Sequence, residues 1–248
     1  MSFFVDIVTE DTFYENLTLG VVKILESFSY IKNVRVDRRN GCENTAIANW
    51  EQRHGCTLPE DVRNFYASID GFLLQIIHEL LRSSLRIPRI IHETTSCTGS
   101  NLENTFPAQF QGDGHGCRLF EIARCSPGSG TAKVYLVYRM KPEPEAPTIW
   151  LHRQGDNRWC HLANNFTVYF RMMLAHLGLP MWQCCVANLS LPTWVEQIYF
   201  LIGPHLLPSA VEPTETISSS MWNNGPTNVI DPAIFKAKEG KQKNPRRK

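Results

Sequence analysis

The sequence predicts an α+β fold: a mostly antiparallel sheet packed with N- and C-terminal helices and followed by a disordered basic tail. Three observations predict it. Apolar residues recur at helical spacing over the first seventy positions, strand-like runs separated by turn clusters fill Gly112 to Asn157, and helical spacing returns from Phe166. Helices, then strands, then helices, with no alternating βαβ series, excludes a doubly wound sheet and favours one sheet covered on one face. At 248 residues, 43% of them hydrophobic, the chain has room for one large core and little for a second.

Leu17, Val21, Ile24, Leu25 and Phe28 form one helical stripe, with Asn16 placed to cap it. A second, shorter helix carries Ile47 and Trp50 and is closed by Gly55 at its C′ position. The third starts at Leu58-Pro59-Glu60-Asp61. Proline suits the first helical position, the two acids suit the positive end of the helix dipole, and Val62, Phe65 and Tyr66 form the inward face. Beyond Gly71, the residues Leu73, Ile77, Leu80, Leu81 and Leu85 again stand at helix-like spacing before Pro88, and whether 73–100 forms strands or a helix stays open at this point.

Leu119–Cys125 and Lys133–Arg139 flank Ser126-Pro127-Gly128-Ser129-Gly130, a hairpin pattern. In the second of these strands Val134, Leu136 and Tyr138 alternate with Tyr135 and Val137, so both faces are apolar and the strand is central. Thr148–Arg153 and Trp159–Leu162 supply two more strands. A helix from Phe166 buries Phe166, Phe170, Met173, Leu174 and Leu177, capped by Asn164 or Asn165 and stopped by Gly178. A last helix over Pro192–Leu201 turns Trp194, Ile198 and Tyr199 inward. The expected domain is therefore 1–202, and 203–248, rich in Pro, Ser, Thr and Asn, is expected to be mostly disordered.

The formal net charge of +1 hides an asymmetry. Residues 236–248 carry a net +6, from Lys236, Lys238, Lys241, Lys243, Arg246, Arg247 and Lys248 against Glu239, while the other 235 residues carry a net −5. Such a tail suits an acidic partner, and its seven cations are the candidate partner-binding residues. The start, MSFFVDIVTED, lacks a basic n-region and does not read as a secretory signal, and no apolar run is long enough to span a membrane, so an intracellular, soluble protein with reduced thiols is expected.

Chemistry-bearing patterns are sparse. The eight cysteines show no paired two-residue spacer and Cys184 and Cys185 are adjacent, a poor chelate, so no metal is expected. His152 and His161 fall on neighbouring strands without a third ligand. Gly112-Asp113-Gly114-His115-Gly116 and Gly128-Ser129-Gly130 lack the strand-loop-helix setting of a phosphate cradle, so no cofactor is expected either. Six tryptophans without interleaved basic residues do not make a nucleic-acid platform. A cysteine and histidine hydrolase is the competing enzymatic reading, but no cysteine stands in a setting that would lower its pKa.

The stretch Trp50 to Phe72, WEQRHGCTLPEDVRNFYASIDGF, resembles the helix-helix-Gly signature of the SUKH superfamily. Four further segments, Glu15–Ser27, Leu119–Arg139, Ile149–Gln183 and Asp231–Lys238, extend the resemblance to the tubulin polyglutamylase complex subunit 2 family. What the resemblance implies is a SUKH-like fold in a non-catalytic scaffold or adaptor, associated with microtubules, centrosomes or basal bodies in the cytoplasm. Its implied partners are a tubulin-tyrosine-ligase-like glutamyl ligase, other polyglutamylase complex subunits, and tubulin with its acidic C-terminal tails. A stand-alone intracellular protein-binding module is the alternative. The helix-like spacing of Leu73 to Leu85 departs from the family, which has strands there.

Overall fold

A computed structural model describes residues 10–79, 81–90, 117–125, 132–139 and 145–207. The elements run α1 (Glu10–Leu17), α2 (Val21–Glu26), β1 (Ile31–Val36), α3 (Asn44–His54), α4 (Glu60–Ser68), β2 (Phe72–His78), β3 (Arg82–Ile87), β4 (Cys117–Arg124), β5 (Ala132–Arg139), β6 (Thr148–Arg153), β7 (Arg158–Ala163), α5 (Phe166–Ala175), α6 (Trp182–Val186), α7 (Thr193–Ile202) and a 3₁₀ turn (Pro204–Leu206). The fold is α+β, as the order of patterns predicts. It differs in having two antiparallel sheets rather than one, ordered β1-β2-β3 and β4-β5-β6-β7.

The open segment after Gly71 settles as strands. Phe72, Leu74 and Ile76 are buried while Gln75 is exposed, a period of two that the neighbouring Leu73 and Ile77 mask in the sequence. The strand β1 was not legible at all, because Lys32, Asn33 and Arg35 interrupt Ile31, Val34 and Val36. It pairs with β2 across an irregularity between Ile31 and Asn33.

The first predicted helix is two helices. Leu19 (φ 55°) and Gly20 (φ 73°) take the left-handed conformation between α1 and α2, so Asn16 lies inside α1 rather than capping it. Leu17 and Leu25 reach the core, but Ile24 and Phe28 stay exposed. The next two helices follow their patterns. Gly55 closes α3 at φ 57°, Ile47 and Trp50 are buried, and Pro59 stands one residue earlier than expected, at the N-cap of α4. Arg118 of β4 donates to the carbonyls of His54 and Gly55, placing a cation at the negative end of α3.

β5 is central, as its two apolar faces require. Val134 and Leu136 point into the main core, whereas Tyr135 and Val137 join Leu119, Trp150 and Trp159 in a second buried cluster on the opposite face. The expectation of a sheet covered on one face does not hold around β5, whose side chains are buried on both faces. Asn165 caps α5 by accepting from the Val168 amide at 2.9 Å, and Phe166, Phe170, Met173 and Leu174 are buried. In α7 the inward residues are Val195 and Tyr199; Trp194, assigned inward by spacing, is half exposed. The described chain continues past Gly203, with the Leu206 carbonyl accepting from the Cys185 thiol at 3.1 Å. None of the described helices is long and apolar enough to cross a membrane.

Candidate functional site

The Ile69-Asp70-Gly71 turn that ends α4 meets the loop that follows β1, and an open groove of about 580 Å³ lies between them. Its walls are Asp37 to Glu43, Ala46, Asp70 and Arg89. The backbone builds it: the Asp70 amide donates to the Asn40 carbonyl at 3.0 Å, the Cys42 amide to Tyr66 O at 2.8 Å, and the Asp37 amide to Leu73 O at 2.9 Å. Gly71, at φ 79°, brings the turn against the Arg39 guanidinium and the Ile87 carbonyl.

Guanidinium and carboxylate groups alternate around this corner. Arg39 holds Asp37 through Nε (2.8 Å) and Nη2 (2.7 Å) and donates from Nη1 to the Asp70 carbonyl at 3.3 Å. The Asp70 carboxylate accepts from the Ile90 amide at 3.1 Å and faces Arg89 Nε at 3.8 Å. Arg38 bonds Asp11 at 2.5 Å and lies over the Tyr14 ring, 5.7 Å from its centroid, while the Tyr14 hydroxyl accepts from the Arg39 amide at 2.8 Å. Arginine is suited to such a place because its planar fork matches a carboxylate and stays charged.

The groove's one thiol is inert. Burial, a hydrogen bond to Asp70 and the Asp70 charge push Cys42 up to about 12, so it is not a thiolate nucleophile at neutral pH. Burial also raises Cys56, Cys117, Cys160 and Cys185. Cys125 is raised by its hydrogen bond with Cys184 and by burial, and the partner Cys184, lowered by the same bond, is fully buried. All seven described cysteines are free thiols.

His152 and His161, singled out from the sequence, sit on the same face of β6 and β7 but each against a tryptophan. His152 stacks on Trp159 with centroids 4.3 Å apart and an interplanar angle of 19°, and His161 meets Trp150 edge-on at 5.1 Å. His152 Nε2 donates to Asn157 Oδ1 at 2.9 Å. Among the described residues no group of three His, Cys, Asp or Glu side chains could hold a metal ion. Lys236, Lys238, Lys241, Lys243, Arg246, Arg247 and Lys248 lie outside the described residues. Sequence reasoning missed the groove arginines; the signal available was Arg38-Arg39 ahead of the turn-forming pair Asn40-Gly41.

No protein-family model matches the chain. Three proteins named tubulin polyglutamylase complex subunit 2 do align with it. The one from Rattus norvegicus is 29% identical over 257 aligned residues, covering 90% of this chain and 81% of its own length. That from Mus musculus is 28% identical over 254 residues, with coverage of 90% and 81%. That from Homo sapiens is 29% identical over 249 residues, with coverage of 90% and 79%. Similarity sustained along nine-tenths of the chain makes it a distant homologue of these three proteins.

Proposed function

We propose that the chain is a non-catalytic subunit of a tubulin polyglutamylase complex, a scaffold that helps position a tubulin-tyrosine-ligase-like glutamyl ligase and the other subunits on tubulin. One observation carries the reading: the match to relatives of that name spans 90% of this chain and about four-fifths of each relative, so it concerns the whole domain rather than a shared motif. The site chemistry supports it. The groove pairs guanidinium with carboxylate groups, a recognition chemistry, and its thiol is held protonated, which disfavours a cysteine hydrolase. In this reading the protein works in the cytoplasm on microtubules, and the cations from Lys236 to Lys248 add attraction to acidic tubulin tails.

Affinity purification of the tagged full chain from cells tests the proposal. A glutamyl ligase of the tubulin-tyrosine-ligase-like class should co-purify, and depleting the chain should lower tubulin glutamylation. A chain that neither associates with such a ligase nor changes glutamylation would sink the assignment.

A further inference from the structure

A helix on a protein surface ordinarily turns charged or polar residues to water. α7, TWVEQIYFLI, has Glu196 as its one charged residue and is apolar on both sides. Val195 and Tyr199 face the core, with Ile198 and Ile202 half-buried beside them. On the other side Trp194, Gln197 and Leu201 stand three and four residues apart with Phe200 alongside, so one outward stripe carries three large apolar side chains and no charge. Phe200 (66%) and Leu201 (72%) are the most exposed large apolar side chains among the described residues, and Trp194 is half exposed. Leaving such a stripe in water is costly, which marks it as a contact surface.

The chain itself supplies a cover that cannot diffuse away. α7 ends at Ile202, the described residues end at Leu207, and 41 residues follow. One stretch among them keeps helical spacing over two turns: Ile230, Ala233, Ile234 and Ala237, at i, i+3, i+4 and i+7. It also carries start and stop signals. Asp231 is placed to cap it, Pro232 suits the first helical position, Ile230 and Phe235 stand at the two positions of a hydrophobic staple, and Gly240 suits the C′ end. A stretch this short does not hold a helix alone, so it needs a surface to form against. Ile217 and Met221 offer only a single helical pair ahead of Asn223-Asn224-Gly225.

The connection has the right length. Between Leu207 and Ile230 lie 22 residues rich in Pro, Ser, Thr and Asn. A flexible chain of that length spans about 25 Å, against about 12 Å from Ile202 back to Trp194 along α7. The tether keeps the stretch at an effective concentration on the order of millimolar around the stripe, so a small apolar contact is enough to hold it there.

We propose that Ile230–Lys238 docks as a short amphipathic helix on the outward stripe of α7, burying Ile230, Ile234 and Phe235 against Trp194, Phe200 and Leu201. Lys236 stays on its water side, and the basic cluster that begins there is thereby fixed beside α7.

The test is photo-cross-linking in the purified full chain with p-benzoylphenylalanine at position 200, alone, with Ile234→Asp/Phe235→Asp, and with the milder Ile234→Ser. Peptide mass spectrometry should place the new bond within Ile230–Lys238, on a product of monomer mass whose yield is unchanged by dilution. The two aspartates should cut that yield about fivefold or more, since each replaces a buried apolar side chain by a charge, and the serine protein should fall between. Thermal melts verify that all three chains fold alike. A bond to any other segment, no bond at all, or equal yields in the three chains would overturn the proposal. So would a product of twice the monomer mass that fades on dilution, which would assign the stripe to a second copy of the chain.

Discussion

At Gly41 a methyl group would sit 1.9 Å from the Ala67 carbonyl oxygen and 2.7 Å from its carbon, atoms of the α4 backbone that cannot rotate aside. Gly41→Ala should therefore push the groove loop off the helix and cost about 2 kcal/mol, a fall of roughly 4–8 °C in Tm. Gly155→Ala is the matched control, since nothing lies within 4 Å of its added methyl, and its Tm should be nearly unchanged. His152 gives a pH-dependent prediction. Burial lowers its pKa from the ordinary 6.5, opposed by the Asn157 hydrogen bond and the Asp156 charge and helped by Lys133. Below pH 6.5 the unfolded chain binds the proton more readily than the folded one, so stability rises with pH through this range and is lost as pH falls below 6.5. His152→Gln should flatten the slope of Tm between pH 7 and pH 5 while lowering Tm at pH 7 through loss of the stack on Trp159. An unaltered slope would assign the acid sensitivity to other groups, such as the half-buried His54 and His176, whose pKa values burial also lowers.

Between elements, Asp61 does more than its place at a helix start suggests. Its Oδ1 accepts from the Val62 amide at 2.9 Å, while Oδ2 reaches the first turn of α5 and accepts from the Thr167 amide at 3.0 Å and the Thr167 hydroxyl at 3.2 Å. One carboxylate thus faces the positive ends of two helices. Asp61→Ala should cost about 2 kcal/mol, read by chemical denaturation, and Asp61→Asn should cost less because the amide oxygen still accepts. A loss of under about 0.5 kcal/mol in the alanine protein would show that water replaces the carboxylate at α5. The acidic start of α4 was legible in the sequence, but the partner 106 residues away was not, because no local rule reports a tertiary cap. The same division holds elsewhere. α3, α4, α5 and the four strands of the second sheet were legible because their apolar residues repeat at one period between clear turn residues. β2 was not, since Leu73 and Ile77 on its outer face complete a false helical stripe, and α1 and α2 were read as one helix because the stripe runs through Leu19-Gly20 unbroken.

Over the whole molecule, charge is distributed in a way that no single element reveals. The groove escaped the sequence reading because Arg38 and Arg39, Asp70 and Arg89 are dispersed along the chain and come together only when the loop after β1 meets the turn that ends α4 and the end of β3. The terminal cluster, by contrast, needed no fold to be seen. Its net +6 follows 235 residues of net −5, so under the proposed function the cations at 236–248 are the part of the sequence best suited to attract an acidic tubulin tail. Each exposed charge pair contributes about 1 kcal/mol or less, but several cations on one short segment act together at low ionic strength, where the screening length exceeds about 10 Å. Co-sedimentation with microtubules should therefore show the chain ending at residue 235 binding more weakly than the full chain at low salt, with the difference disappearing at high salt as screening removes the attraction. If the two sediment alike at low salt, the cations from Lys236 to Lys248 are bystanders, and any attraction to tubulin must come from the rest of the chain or, under the proposed function, from other subunits.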